Sequence, residues 1–147
     1  MATTFELKEV KGDLFDSQDS LAHCVSADFH MGKGIALTFR TKFGRLSELH
    51  EQKTKVPGVA FLKEGDEKTS RFLYYLVTKE KYYGKPTYET LEASLKALLE
   101  HASKNGVKKL SIPRIGCGLD RLLWDRVYEM LQSVFENSGM VITVYAP

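Results

Sequence analysis

Lys109-Leu-Ser-Ile-Pro-Arg-Ile-Gly-Cys-Gly-Leu-Asp120 carries the strongest structural signal in the chain. A short buried strand breaks at Pro113 and enters a glycine-bearing loop, which ends on a carboxylate just before an amphipathic helix. In open α/β sheets, ligands sit beyond the carboxyl ends of the strands, and loops of this composition turn backbone N–H groups toward phosphates. Asp120 adds an acid or base to the same segment. One loop is therefore a candidate both to bind and to react.

Downstream, Trp124, Val127, Tyr128, Leu131, Val134 and Phe135 define a helix that closes near Gly139, and Met140–Tyr145 is a β-branched-rich strand. Upstream, Val107–Ile112 follows the clearest helix, Tyr88–Lys104. Its apolar face is Tyr88, Leu91, Leu95, Leu98 and Ala102, with Thr87 as cap after Pro86 and Gly106 as stop. Val59–Lys63 and Phe72–Val77 read as strands around a polar hairpin, Glu64–Ser70. Gly34–Phe43 carries Ile35, Phe39 and Phe43 at helical spacing with Gly44 as its stop, and Arg45–Lys53 is a second short helix. Leu21–Val25 is a compact buried strand, and Phe5–Val10 is a short alternating one that turns at Gly12-Asp13. This alternation predicts a three-layer α/β/α sandwich in one domain spanning residues 1–147. The first segments are expected to add antiparallel strands, giving a mixed sheet.

With 43% hydrophobic and 27% charged residues in 147, the chain is of globular composition. A net charge of +2 points to no basic face, although Lys79, Lys81 and Lys85 form a local cluster. Cys24 and Cys117 have neither metal-ligand spacing nor a disulfide framework, which suits a reduced intracellular protein. The first residues lack a signal-peptide core, and no window approaches ~18 continuous apolar residues. A nuclear or cytoplasmic protein without a membrane partner is expected.

Several further loops can carry chemistry. Ser26-Ala-Asp-Phe-His-Met-Gly-Lys-Gly34 leads from a strand into a helix, and Gly32 and Gly34 suit a second anion cradle; taken singly, it is equally a glycine turn. In Gly12-Asp-Leu-Phe15, Asp13 is placed to accept from the amine of a base, or simply to make a turn. Lys79 follows an apolar run, and a lysine at a buried strand end is a candidate nucleophile; its charged neighbours Glu80 and Lys81 equally suit a solvated surface residue. Asp120 and Asp125 also read as helix-start residues. Cysteine chemistry is the rival. His23-Cys24 has His30 where a cysteine phosphatase needs arginine, Cys117 has no definable histidine partner, and His23, Cys24 and His30 lack metal-ligand spacing, so these three are read as packing or loop residues. Tyr74-Tyr75 and Tyr82-Tyr83 suit base stacking and ordinary packing alike.

Taken together, Gly12-Asp-Leu-Phe15, Met31-Gly-Lys-Gly-Ile-Ala36 and Pro113-Arg-Ile-Gly-Cys-Gly-Leu-Asp120 resemble the macrodomain family. With Tyr74-Tyr-Leu-Val-Thr-Lys79 and Lys85-Pro-Thr-Tyr88, the chain resembles its O-acyl-ADP-ribose deacylase branch, from about Val10 to Tyr145. The resemblance implies a macrodomain sandwich around a mixed six-stranded sheet that binds ADP-ribose at the strand ends. Asp13 and Leu14 would lie at the adenine, and Ser26 and Gly32 at the ribose and phosphates. Arg114, Ile115, Gly116, Cys117, Gly118, Leu119 and Asp120 would wrap the diphosphate and distal ribose. Lys79 and Asp120 would be catalytic, with no metal or cofactor. Many hydrolytic macrodomains carry an asparagine-rich motif where this chain has Ser26-Ala-Asp-Phe29, which argues against their substrate-assisted water mechanism. The implied activity is release of mono-ADP-ribose from glutamate or aspartate side chains of modified proteins, with deacylation of O-acyl-ADP-ribose, by a monomer. Two alternatives stay open: a non-catalytic ADP-ribose reader, and a hydrolase for ADP-ribosylated nucleic acid.

Overall fold

The computed structural model describes residues 4–66 and 68–147. Glu67, within the expected hairpin, and the first residues of the chain lie outside the described residues. The strands are β1 (Glu6–Lys11), β2 (Ser20–Ser26), β3 (Gly58–Gly65), β4 (Ser70–Lys79), β5 (Lys109–Ile112) and β6 (Val141–Ala146). The helices are α1 (Gly34–Phe43), α2 (Leu46–Glu51), α3 (Tyr88–Lys104) and α4 (Trp124–Phe135), with a 3-10 turn at Leu14–Asp16 that the sequence reading did not anticipate. Helices α1 and α3 coincide with their expected ranges.

The sheet runs β1-β6-β5-β2-β4-β3. β1 lies parallel to β6, β6 to β5, β5 to β2 and β2 to β4, whereas β3 is antiparallel to β4. The sheet is mixed, but the expected source of the antiparallel pairing is corrected. It arises in the β3–β4 hairpin, because a short connection between adjacent strands forces antiparallel pairing. β1 instead reaches across the fold to β6, a contact that no local pattern encodes.

Strand β4 explains the layering. Leu73 through Thr78 is buried without a break, as expected of a strand covered on both faces. Tyr74 and Leu76 face a core filled by Leu91, Leu95 and Leu98 of α3 and Val127, Leu131 and Phe135 of α4. Leu73, Tyr75 and Val77 face a second core with Phe39 of α1, Leu49 of α2 and Leu14 of the 3-10 turn. The fold is thus an α/β/α sandwich. Each fully buried leucine or phenylalanine contributes about 1.5–3 kcal/mol through the apolar surface it removes from water. Thr87 begins α3 with a capping box: its hydroxyl accepts from the Thr90 N–H, and the Thr90 hydroxyl accepts from the Thr87 N–H. That cap fixes the start of α3 close to the loop after β4.

Candidate active site

Each expected functional residue lies at one edge of the sheet. Asp13 and Leu14 follow β1, Ser26 ends β2, Lys79 ends β4, and Arg114–Asp120 follows β5. These strands are mutually parallel, so the loops leave from the same side. β1 and β4 are four inter-strand steps apart, or about 19 Å at ~4.8 Å per step. Such an edge suits a long ligand rather than a lone phosphate.

Lys79 and Asp120 meet. Lys79 Nζ donates to Asp120 Oδ1 at 2.7 Å, and each side chain is only 14% exposed. A register shift between Val25 and Ser26 sets Ser26 opposite Lys79, and the Lys79 carbonyl accepts from the Ala27 N–H at 2.8 Å. Bulges of this kind re-aim a strand end, and they favour sites of function. The geometry rejects the surface reading of Lys79 and the helix-start reading of Asp120. Leu123 is the N-cap of α4, while Asp125 does sit in its first turn.

The loop carrying Asp120 folds back on itself. Leu122 N–H donates to the Gly116 carbonyl at 2.7 Å, and Arg121 N–H to the Gly118 carbonyl at 3.2 Å. Gly116 has φ +74, a conformation that disfavours any residue with a Cβ. Among the described residues, the amides of Gly118, Leu119 and Asp120 donate to no protein acceptor, leaving three successive N–H groups free for an anion. Facing it is the loop after β2. A Cβ built on Gly34 would stand 3.9 Å from Leu119 Cδ1, so the two loops oppose one another. No side chain caps α1, so its first-turn amides remain available to negative charge.

Other expected residues engage differently. The Asp13 carboxylate accepts from the Phe15 N–H at 2.9 Å and caps the 3-10 turn, as the turn reading required. Leu14 and Ile115 are buried. Ser26 is buried and donates its hydroxyl to Asp28. Gly32 sits so close to His30 that a Cβ would lie 2.6 Å from the imidazole. The Arg114 guanidinium pairs with Glu9 at 2.6 Å at a partly exposed position. Cys117 donates its thiol to the Ile115 carbonyl at 3.3 Å, and Leu119 is 64% exposed.

The cysteine rival fails on electrostatics. Burial pushes the Cys24 thiol well above its ordinary pKa, and the negative charge of Asp120 adds to the effect against smaller opposition from the Gly116 N–H and Lys79. Burial also raises Cys117. Neither thiol is poised as a thiolate nucleophile. His23 is a core residue, stacked on Phe39 at 3.7 Å. Burial holds its pKa down to about 3.

Two organising residues escaped the sequence reading. Asp28 accepts from the Ser26 hydroxyl and His30 N–H, and also from the Tyr82 N–H at 3.1 Å, tying the β2 loop to the β4 loop. Burial opposes its charge, but these hydrogen bonds outweigh burial and keep its pKa below the usual carboxylate value. The Asp28-x-His30 spacing is an Asx-turn signal that marks the local half of this network. Tyr88 accepts from the Leu123 N–H at 3.0 Å, for which the sequence offers no local signal. Among the described residues, no group of three His, Cys, Asp or Glu side chains is arranged to hold a metal ion, and no helix is long and apolar enough to cross a membrane.

Comparison with known proteins bears on the same surface. The Macro domain family model matches residues 22–131. The chain is 53% identical over 138 residues to the ADP-ribose glycohydrolase OARD1 of Homo sapiens, covering 92% of this chain and 88% of that protein. The fold superposes on the macrodomain of Thermus aquaticus DarG with a TM-score of 0.86, at 24% identity over 97% of this chain and 99% of that one. Thermosipho africanus DarTG, solved in complex with ADP-ribose, aligns with a TM-score of 0.83 at 22% identity, over 97% of this chain and 42% of that one.

Proposed function

The chain belongs to the Macro domain family, and from that premise we propose that it is an ADP-ribose glycohydrolase. It frees mono-ADP-ribose from modified glutamate or aspartate side chains and deacylates O-acyl-ADP-ribose. The observation that carries this reading is the Lys79–Asp120 contact of 2.7 Å between two amide-bearing loops. A reader module has no need to set a lysine and a carboxylate together away from water; a nucleophile and its base do.

The amides of Gly118, Leu119 and Asp120 and the start of α1 bind the diphosphate, which holds the distal ribose over Lys79. Asp120 Oδ1 takes a proton from the Lys79 ammonium, leaving an amine lone pair. The amine attacks the anomeric carbon; the new N–C bond forms as the C–O bond to the ester breaks, and the carboxylate leaves with the bonding pair. Asp120 passes its proton to the departing carboxylate and, ionised again, takes one from the water that displaces the lysine from that carbon. The amine leaves with the N–C bonding pair and regains its proton from Asp120, which restores Lys79 and releases ADP-ribose. Asp13, Leu14, Ser26, Gly32 and Arg114–Leu119 line the ligand through backbone and packing contacts. The unit acts as one macrodomain and as a monomer, in the nucleus or cytoplasm.

Intact-mass measurement after incubation with ADP-ribosylated glutamate peptide tests this. In Asp120→Ala, solvent still takes the Lys79 proton, slowly, but no base activates the second-step water, so one ADP-ribosyl group accumulates on Lys79; Lys79→Ala is inactive. Turnover by Lys79→Ala, with no adduct in Asp120→Ala, rejects the mechanism. Free ADP-ribose raises Tm by mass action in either case if the loops bind it.

A second reading, hydrolysis of ADP-ribose from nucleic acid, is favoured by the rim beyond Lys79. Tyr82 and Tyr83 are 53% and 73% exposed, Tyr82 stacks on His30 at 3.9 Å, and Lys33, Lys81 and Lys85 are close in sequence to these rings. Exposed rings beside cations suit an unpaired base on a phosphodiester chain. Loss of activity on an ADP-ribosylated oligonucleotide, but not on the peptide, in Tyr82→Ser/Tyr83→Ser would support it; equal loss on both rules it out.

A further inference from the structure

We propose that Lys85 and Tyr88 are positioning residues that clamp the Asp120 loop from both sides and register it against Lys79, an inference that rests on the assignment of Lys79 and Asp120 as the reacting pair. Lys85 Nζ donates to the Leu119 carbonyl at 3.0 Å, and the Tyr88 hydroxyl accepts from the Leu123 N–H at 3.0 Å. Asp120 lies between these anchors. The intervening backbone is not regular: Arg121 has φ 63, a left-handed conformation that a non-glycine residue holds only when its surroundings over-determine it.

The clamp stands on a stiff base. Tyr88 is the first residue of α3, behind the Thr87–Thr90 capping box, and α3 is pinned by fully buried Leu91, Leu95 and Leu98. Its ring is covered by the Arg126 guanidinium, 3.9 Å from the ring centroid. Arg126 belongs to α4, the helix that the clamped loop leads into. The nucleophile and both clamp residues lie on one short stretch, residues 79–88, so a shift of this connection moves Lys79 and the Asp120 loop together. That coupling preserves a separation on which proton transfer depends. The loop's own closures, Leu122 to Gly116 and Arg121 to Gly118, shape its curl but do not locate it relative to β4.

The test is a Lys85→Met/Tyr88→Phe double variant, which removes one donor and one acceptor while keeping the aliphatic stem and the ring under Arg126. Misplacement of a reacting group by about 1 Å costs on the order of 100-fold in rate. The double variant is expected to lose about 10- to 100-fold in kcat, with a smaller change in KM, and to accumulate the Lys79 adduct expected of Asp120→Ala. Lys85→Arg in place of Lys85→Met, which keeps a donor to the carbonyl, recovers part of the rate. If Lys79→Ala is inactive but the double variant keeps wild-type kcat and forms no adduct, the clamp is wrong. Loss of activity with a collapsed Tm and no adduct also overturns it, because the residues then serve folding alone. If Lys79→Ala itself remains active, the underlying assignment fails, and that result is separable from the others.

Discussion

A double-mutant cycle on Lys79 and Asp120 gives the most direct test of the site's geometry, because it does not depend on any substrate. The two charges are 2.7 Å apart and their side chains are each 14% exposed. Removing one partner leaves the other charge poorly hydrated, which for a buried pair costs on the order of 3–5 kcal/mol. Residual exposure places the expected cost near the lower end, about 3 kcal/mol for Asp120→Leu or for Lys79→Met. In a chain of this size, 1 kcal/mol shifts Tm by about 2–4 °C, so each single variant loses about 6–12 °C. The double variant replaces the pair with two apolar side chains and leaves no orphan charge. It is therefore expected to be more stable than either single variant. The cycle should return a coupling of at least about 2 kcal/mol. Urea unfolding followed by tryptophan fluorescence and far-UV circular dichroism supplies the free energies. If the double variant's destabilisation equals the sum of the two single losses, the side chains do not hold one another, and the proposed proton transfer loses its basis.

Three other outcomes follow from the packing. His23 has its pKa held at about 3 in the folded chain by burial, against about 6.5 when unfolded. Its contribution is fully present above pH 6.5 and is lost as pH falls toward 3, by about 2 kcal/mol at pH 5; His23→Phe should flatten that part of the pH–stability profile, and an unchanged slope would refute the assignment. Gly116→Ala forces a Cβ onto a residue at φ +74, where it meets Leu122 Cδ1 at 2.9 Å. The leucine end can yield but the backbone cannot, so a loss of about 1–2 kcal/mol and weaker ADP-ribose binding by calorimetry are expected; wild-type affinity and Tm would contradict this. Thr87→Ala removes the α3 capping box and should cost about 1 kcal/mol, measured by urea midpoint, with Thr87→Ser restoring most of it.

Much of the fold was legible because local physics dominates it. Gly44 and Gly106 end helices through positive φ, and both α1 and α3 have the boundaries that apolar spacing and capping indicated. The apolar run Phe72–Val77 marked a strand, and its burial on both faces emerged with the sandwich. The parallel entry of β1 was not legible, since Glu6–Lys11 pairs with Val141–Ala146 at the other end of the chain and short alternating strands do not encode partner or direction. The short turn at Leu14–Asp16 was hidden for a similar reason: Asp13 signals a turn, but not which carbonyl the next amides will choose.

The alternation of strands and helices, the glycine loops at strand ends, and the family those loops resemble are all written along the chain. Hydrophobic periodicity and the φ demands of glycine act over a few residues, so they can be read along the chain. The sequence also nominated Lys79 and Asp120, but it left each with an ordinary alternative as a surface charge or a helix-start residue. The assembled sheet settles between these, because the parallel order β5-β2-β4 returns Asp120 to the end of β4. It likewise pairs Arg114 with Glu9 and places Tyr88 against Leu123. Ion pairs and hydrogen bonds fall away within a few ångströms while sequence separation is blind to distance, so the partners of these groups exist only once the sheet is assembled.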